Sequence, residues 1–262
     1  MILVRPSTCN ALVSDMDPIT IVAAGGLRAR MESLDLLANN IANTATAGYK
    51  SDREYFTTYL ASESAASTLS NGRPQGFSPV LERLWTDLRQ GTLSRTNNPN
   101  DLALSGSGFF VVETPQGPLY TRNGSFQVTA EGKLQTREGY EFVTNEPSRI
   151  RARRDLPVSV DAQGVVYQDG QQLGSLKIVS PAKPGDLEKR GETYFSIAAG
   201  AGLAASSAQV HQGHSEASNF SAAEASVRLV SVLRQFESLQ KAMQIGAEMN
   251  RRASEDVARV SS

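Results

Sequence analysis

Residues 221–260, SAAEASVRLVSVLRQFESLQKAMQIGAEMNRRASEDVARV, are the stretch that decides how the chain is organised. Small and apolar side chains recur there at alternating intervals of four and three residues, which is the spacing of a coiled-coil seam. Ser221 followed by Glu224 is the capping-box pattern that marks the start of a helix. We expect one helix of roughly 60 Å, at 1.5 Å per residue. The seam positions are Ala225, Leu229, Val232, Phe236, Leu239, Met243, Gly246, Asn250, Ala253, Val257 and Val260.

A compact domain of this size cannot cover so long a helix, so its apolar stripe must meet another helix, from the same chain or from a neighbour. Asn250 is the one polar residue of the seam, and two interpretations of it stay open. It faces solvent while Met249 takes its place, or it fixes the register between helices, as single seam asparagines do.

A matching pattern lies near the other end of the chain. Asp17 is a suitable cap and Pro18 fits the first turn of a helix, where a missing N–H costs nothing. Residues 43–48 (NTATAG) end the pattern. The two seams predict an α+β protein whose long N- and C-terminal helices pair as a coiled-coil core around an inserted, mostly antiparallel β domain. The seam positions of the first helix are Thr20, Ala24, Leu27, Met31, Leu34, Ala38 and Ile41.

The middle of the chain has a different texture. Short β-rich runs such as residues 109–114 (FFVVET) alternate with glycine turns, and Asn123-Gly124 is a strong hairpin signal. This rhythm predicts an antiparallel β domain, and residues 77–93 are interpreted as extended. The resulting division is 1–15, a disordered extension; 16–60, the N-terminal helix and arm; 61–99, a linker and extended wrapping segment; 100–210, the β domain; and 211–262, the C-terminal helix.

Composition excludes several classes of function. A net charge of −1 gives no field that would attract nucleic acid. No apolar run approaches the ~20 residues that a membrane span needs. The first fifteen residues lack a basic start followed by an apolar stretch, so we expect no secretory signal. Cys9 is the single cysteine, which excludes a disulfide framework within the chain.

Candidate catalytic and metal sites are few. His211 and His214 are the only histidines, and a solvated loop is favoured over a metal site because no carboxylate or cysteine cluster is nearby. Without a nucleophile–base or paired-carboxylate arrangement, we expect no catalytic residue, no cofactor and no metal. Four arginines form a basic cluster, interpreted as a solvated strand face or a patch that pairs with acidic groups of a neighbour. They are Arg149, Arg151, Arg153 and Arg154.

Residues 37–50 (LANNIANTATAGYK) closely resemble the N-terminal signature of bacterial flagellar basal-body rod and hook proteins. Its signature positions are Asn39, Asn40, Asn43, Gly48, Tyr49 and Lys50. Three further segments agree in the same order, and the resemblance covers nearly all of residues 16–260. They are residues 90–110, residues 120–140 and residues 212–219.

The resemblance implies a structural part of the rod, the drive shaft that crosses the periplasm in the basal body. It implies export through the flagellar type III apparatus without a cleaved signal, partners among other rod proteins and copies of itself, and neither enzyme activity nor cofactor. Within the family, residues 234–237 (RQFE) and 241–243 (KAM) are more similar to the proximal-rod protein than to the distal-rod protein.

The two stripes define the expected assembly interface, where helices of neighbouring copies pack head to tail. An alternative is a coiled-coil oligomeric cell-envelope adaptor that presents a β binding domain. The expected interface residues are Leu27, Met31, Leu34, Ile41, Leu229, Val232, Phe236, Leu239, Met243 and Val257.

Overall fold

The computed structural model of the chain describes residues 18–59, 78–146, 149–198 and 200–260. The predictions made for residues 1–15 and for the linker over 61–76 lie outside these residues. Two α-helices are present in the described ranges, α1 (Pro18–Ala42) and α2 (Ala222–Val260). The predicted start of α2 is confirmed, because the Ser221 hydroxyl accepts a hydrogen bond from the backbone N–H of Glu224 at 3.1 Å.

Strands make up most of the remaining regular structure. The described residues contain eighteen of them: β1 Asp52–Tyr59, β2 Ser78–Thr86, β3 Leu93–Arg95, β4 Leu102–Ser105, β5 Phe109–Thr114, β6 Gly117–Thr121, β7 Gln127–Val128, β8 Leu134–Gln135, β9 Glu141–Phe142, β10 Ser159–Val160, β11 Val165–Gln168, β12 Gln171–Ser175, β13 Ile178–Pro181, β14 Leu187–Arg190, β15 Tyr194–Ile197, β16 Leu203–Ala205, β17 Gln209–Gln212 and β18 His214–Glu216.

The largest sheet has nine strands, with the order β14-β15-β6-β5-β9-β8-β7, and β13 pairs with both β5 and β16. Its pairings are antiparallel, as predicted for this region. The smaller sheets are β10-β11-β12, β4-β17, β3-β18 and β1-β2. The extended interpretation of residues 77–93 is confirmed over β2.

Strand β5 lies at the centre of this sheet and is buried on both faces. Successive side chains of a strand point to opposite faces, so Phe110 and Val112 enter one hydrophobic cluster while Phe109 and Val111 enter the other. Edge-to-face ring contacts hold both sides: Phe110 with Phe142 at 5.9 Å and Phe109 with Phe195 at 5.5 Å between centroids.

The prediction of an α+β protein with a coiled-coil core is wrong. In the part of the chain that the structure describes, eighteen strands lie between two α-helices, one at each end. Both of its buried hydrophobic clusters consist of side chains from the β region, and neither helix contributes to them. The physical reason is that the four-three spacing reports a helix with an apolar stripe, but it does not report that the same chain covers that stripe.

The hairpin predicted at Asn123-Gly124 is also wrong. Strand β6 pairs with β5 and β15, whereas β7 pairs with β8. Glycine is required at position 124 because a Cβ there would lie 2.3 Å from the carbonyl oxygen of Leu102. The sequence signal therefore came from close packing and not from a two-residue turn.

Two compact units divide the described residues. One contains α1 up to Ala38, the described residues between Glu54 and Leu84, and α2 from Ala225 onward; the other contains Asn39–Arg53 and the described residues between Trp85 and Glu224. In the first unit the helices touch, since a Cβ at Gly26 would lie 3.3 Å from Cδ1 of Leu239. Neither of the helices described is long and apolar enough to cross a membrane.

Candidate functional site

The signature segment begins in the last turn of α1 and folds the chain back towards β1. Asn43 donates to the backbone carbonyl of Asn39 at 3.0 Å and accepts from the Thr46 hydroxyl at 3.0 Å. These local bonds satisfy polar groups that a helix end leaves open. The predicted end of the helix, after Ala42, is thereby confirmed.

Asn40 is fully buried and ties the end of α1 to the start of β1. Its Oδ1 accepts hydrogen bonds from the Tyr49 hydroxyl at 2.9 Å and from the backbone N–H of Asp52 at 3.1 Å. Its Nδ2 donates to the carbonyl of Asp52 at 2.9 Å. Three of its hydrogen-bonding positions are therefore used, which an aspartate or a leucine of similar size could not reproduce.

Gly48 occupies a position that only glycine fits. Its φ is +72°, and a Cβ there would lie 2.5 Å from the backbone nitrogen of Asn123. Its own N–H donates to the carbonyl of Glu216 at 2.7 Å. The backbone of the signature therefore lies directly against two distant segments of the chain.

Tyr49 is fully buried under the Lys189 ammonium, which lies 4.1 Å from the ring centroid. Lys189 also donates to the carbonyl of Lys50 at 2.8 Å and to the Asp52 carboxylate at 2.7 Å. Burial, followed by the nearby Asp52 carboxylate, raises the pKa of Tyr49 well above its ordinary value. The phenol is neutral and acts as a donor to Asn40.

Lys50, Arg122 and Glu216 form what we call the ionic cluster, and all three are buried. Lys50 Nζ donates to Glu216 Oε1 at 2.5 Å and to the carbonyl of Arg89 at 2.8 Å. Arg122 Nη1 lies 3.4 Å from Glu216 Oε2, and the N–H of Gly91 donates to Oε1 at 2.9 Å. Burial lowers the pKa of Lys50 against the opposing effect of Glu216, and it also lowers the pKa of Arg122.

A second layer of polar contacts surrounds this cluster. Asn219 accepts from the backbone N–H of Ser51 at 2.8 Å and donates to the carbonyl of Asp87 at 2.6 Å. The buried Asp87 carboxylate pairs with Arg89 at 2.6 Å and with Arg53 at 3.1 Å. A hydrogen bond from Arg89 is the main cause that holds the pKa of Asp87 below its ordinary value.

Sequence reasoning identified Lys50 as a signature position and missed its partners. Glu216 is 166 residues away from Lys50 and 94 from Arg122. No local spacing links the three residues. Nothing in the sequence around Lys50 indicated these partners, which only the fold brings together.

The expected interface residues of α2 differ in exposure. Val232 is buried, Phe236, Leu239 and Met243 are half-buried, and Leu229 is exposed. The side chain of Val257 lies outside the described residues. Away from the predicted seam, α2 carries further apolar side chains that are all exposed: Val227, Val230, Leu233, Ile245 and Met249.

On α1 the buried side lies next to the predicted seam and not on it. Leu27 and Leu34 are half-buried, whereas Met31 and Ile41 are exposed. The residues buried instead are Gly26, Ala29, Ser33, Leu37 and Asn40. Met31 and Ile41 therefore remain open to contact with another molecule.

The histidines lie on strands, so the solvated-loop interpretation is wrong. His211 is in β17 and His214 in β18, both half-buried, with ring centroids 5.9 Å apart. Among the described residues no group of three or more His, Cys, Asp or Glu could hold a metal ion.

The arginine cluster belongs to no strand, so the strand-face interpretation is wrong as well. Arg149 pairs with Glu141 at 2.8 Å, and Arg153 with Asp155 at 2.8 Å.

Comparison with known proteins yields matches along most of the chain. Residues 22–50 match a family model described as flagella basal body rod protein. Residues 103–170 match the flagellar hook protein FlgE/F/G D1 domain, and residues 211–255 match the flagellar basal body rod FlgEFG protein C-terminal model. The three matched ranges contain Lys50, Arg122 and Glu216 in turn.

Individual relatives agree with the family models. The flagellar basal-body rod protein FlgF of Caulobacter vibrioides is 33% identical over 230 residues, which cover 87% of this chain and 92% of the relative. FlgG of Buchnera aphidicola subsp. Acyrthosiphon pisum is 31% identical over 264 residues, which cover 92% and 100%. FlgG of Agrobacterium fabrum is 29% identical over 258 residues, which cover 87% and 95%.

Proposed function

Since the chain belongs to the family of flagellar basal-body rod proteins and is a structural subunit of that rod, we propose that it assembles through its two terminal helices. In this proposal the exposed apolar side chains of α1 and α2 pack against the helices of neighbouring subunits. Those neighbours are other rod proteins and further copies of this chain. Head-to-tail contacts of this kind build an open helical filament and not a closed dimer.

The observation that carries the proposal is the exposed apolar side of α2. Val227 is 73% exposed, Ile245 59% and Met249 61%, and on α1 Met31 is 58% exposed. Large exposed apolar patches mark sites of protein–protein contact, and we assign these side chains to such a site. In an assembly these side chains would be removed from water.

Comparison of the free energy gained by burying these side chains with the cost of association indicates that the contact needs many of them together. Full burial of a Val, Leu, Ile or Met side chain contributes about 1.5–3 kcal/mol, and half-covered side chains gain about half of that. Association costs about 4–15 kcal/mol in lost freedom. One side chain cannot offset this cost, whereas a set of six or more can, so assembly depends on the combined stripe.

The proposal also covers where the subunit lies in the rod, how it reaches it and what it does there. The subunit occupies the part of the rod that crosses the periplasm and reaches it through the flagellar export apparatus. It lies in the proximal segment, which the similarity of residues 234–243 to proximal-rod proteins supports. It has a mechanical role, without a catalytic step or a cofactor.

Ile245→Asp tests the proposal, because it places a charge in the exposed stripe without disturbing a buried contact. We expect the purified variant to keep wild-type stability while cells that produce it lose swimming motility. Gln240→Asp is the matched control, since it adds the same charge at an exposed polar position of α2. Normal swimming by the Ile245→Asp strain, or purified protein that forms a closed oligomer of fixed mass, would contradict the proposal.

A further inference from the structure

The ionic cluster joins parts of the chain that are made far apart in sequence. Lys50 follows α1, Arg122 follows β6, and Glu216 ends β18, the strand by which the chain returns towards α2. Two buried cations share one carboxylate. Without Glu216, both would be buried without the carboxylate that they contact, and leaving buried charges unpaired is strongly unfavourable.

The backbone of the signature segment also contacts residues 216–219, the segment that contains Glu216. The N–H of Gly48 donates to the carbonyl of Glu216, and the N–H of Ser51 donates to the side chain of Asn219. The N–H of Gly91 also donates to the Glu216 carboxylate. Residues 216–219 therefore provide the surface on which residues 48–51 lie.

Strand β18 has a position that does not depend on the signature. It pairs with β3 through Ser215 and Ser94, and the next residue, Ala217, donates its N–H to the carbonyl of Thr92 at 2.9 Å. Arg122 is likewise held by its own neighbours, since Nη2 donates to the carbonyl of Gly106 at 2.8 Å. Glu216 and Arg122 can therefore both be in place before Lys50 docks.

We propose that the ionic cluster is an order-dependent latch: the segment Asn39–Arg53 docks only after β18 has paired with β3. In a chain that still lacks its last fifty residues, the segment Asn39–Arg53 then stays undocked, because Lys50 has no carboxylate with which to pair when it is buried. The end of α1 takes its final position only in a chain that is complete through Glu216. Docking of a segment near the N-terminus therefore waits for a strand near the C-terminus to pair.

Substitution of the charges tests the latch at equilibrium in the full chain. Glu216→Gln leaves two buried cations uncompensated, so we expect amides of residues 43–53 to exchange with solvent roughly 100-fold faster or more, while those of β5 and β6 keep wild-type rates. Lys50→Met/Glu216→Gln restores the original net charge of the cluster and should regain most of the protection. Glu188→Gln is the control, because it removes a carboxylate from an exposed ion pair of the same unit.

Wild-type exchange in Glu216→Gln, or a double variant no better protected than the single one, would overturn the charge-based latch. Pulsed hydrogen exchange during refolding of the wild-type chain tests the order directly and needs no variant that folds. The amides of Gly48 and Ser51 should gain protection together with residues 214–219 or after them. Protection of Gly48 and Ser51 before residues 214–219 would refute the proposal.

Discussion

Gly48→Ala is the substitution that most directly tests the close fit of the signature segment. The φ of +72° costs a residue with a Cβ about 1–2 kcal/mol. The new Cβ would also meet backbone atoms, at 2.5 Å from the nitrogen of Asn123 and 2.8 Å from the carbonyl carbon of Arg122. Backbone cannot rotate aside, so overpacking adds about 1–3 kcal/mol, and displacement weakens the bond to Glu216 by about 0.5–1.5 kcal/mol.

Allowing for the stiffer unfolded chain, we expect Gly48→Ala to lower the free energy of unfolding by about 1.5–6 kcal/mol. Gly170→Ala is the control, because its φ is +74° and no atom lies within 4 Å of the added Cβ. It isolates the backbone strain, for which we expect about 1 kcal/mol. Urea unfolding followed by fluorescence of Trp85, the single tryptophan and a residue of the same unit, measures both. Equal midpoints for the two variants would refute the steric argument.

Two further substitutions test the polar contacts around the signature. Asn40→Ala removes three hydrogen bonds from a buried site and should cost about 1–3 kcal/mol, whereas Asn39→Ala, at an exposed position, should cost less than half as much in the same urea assay. In the folded protein, Arg89 and Arg53 hold the pKa of the Asp87 carboxyl below its ordinary value of 3.8. The carboxylate therefore stabilises the fold above pH 3.8, and this stabilisation is lost as the pH falls through the lower pKa of the folded state. The difference in urea midpoint between wild type and Asp87→Asn should therefore be largest above pH 3.8 and shrink below it; a difference that does not change with pH would contradict this assignment.

Local patterns predicted the elements whose causes are local. The capping pair Ser221 and Glu224, Pro18 in the first turn of α1, and the apolar run that becomes β5 each act within a few residues. Their boundaries agree with the structure for that reason. The same patterns supported the wrong fold class, because the seam spacing of α2 carries no information on which molecule covers it.

Contacts between residues distant in sequence could not be predicted, because local spacing does not identify which distant residues the fold brings together. Asn123-Gly124 has the composition of a hairpin turn, yet glycine is needed there because the carbonyl of Leu102, in another strand, leaves no room for a Cβ. The sequence identifies Lys50 as a signature position, but only the fold places Glu216 against it. On α1, the choice between Met31 and Ser33 as the buried side depends on neighbours that periodicity does not identify.

Basal bodies isolated from cells that produce Ile245→Asp or Gln240→Asp give the most direct measurement of whether the exposed side of α2 builds the rod. The amount of this chain in each preparation can be compared with wild type by immunoblot. Our account predicts that the Ile245→Asp chain is absent from the basal bodies although it is present in the cells, and that the Gln240→Asp chain is incorporated normally. Incorporation of both variants at the wild-type level would contradict it.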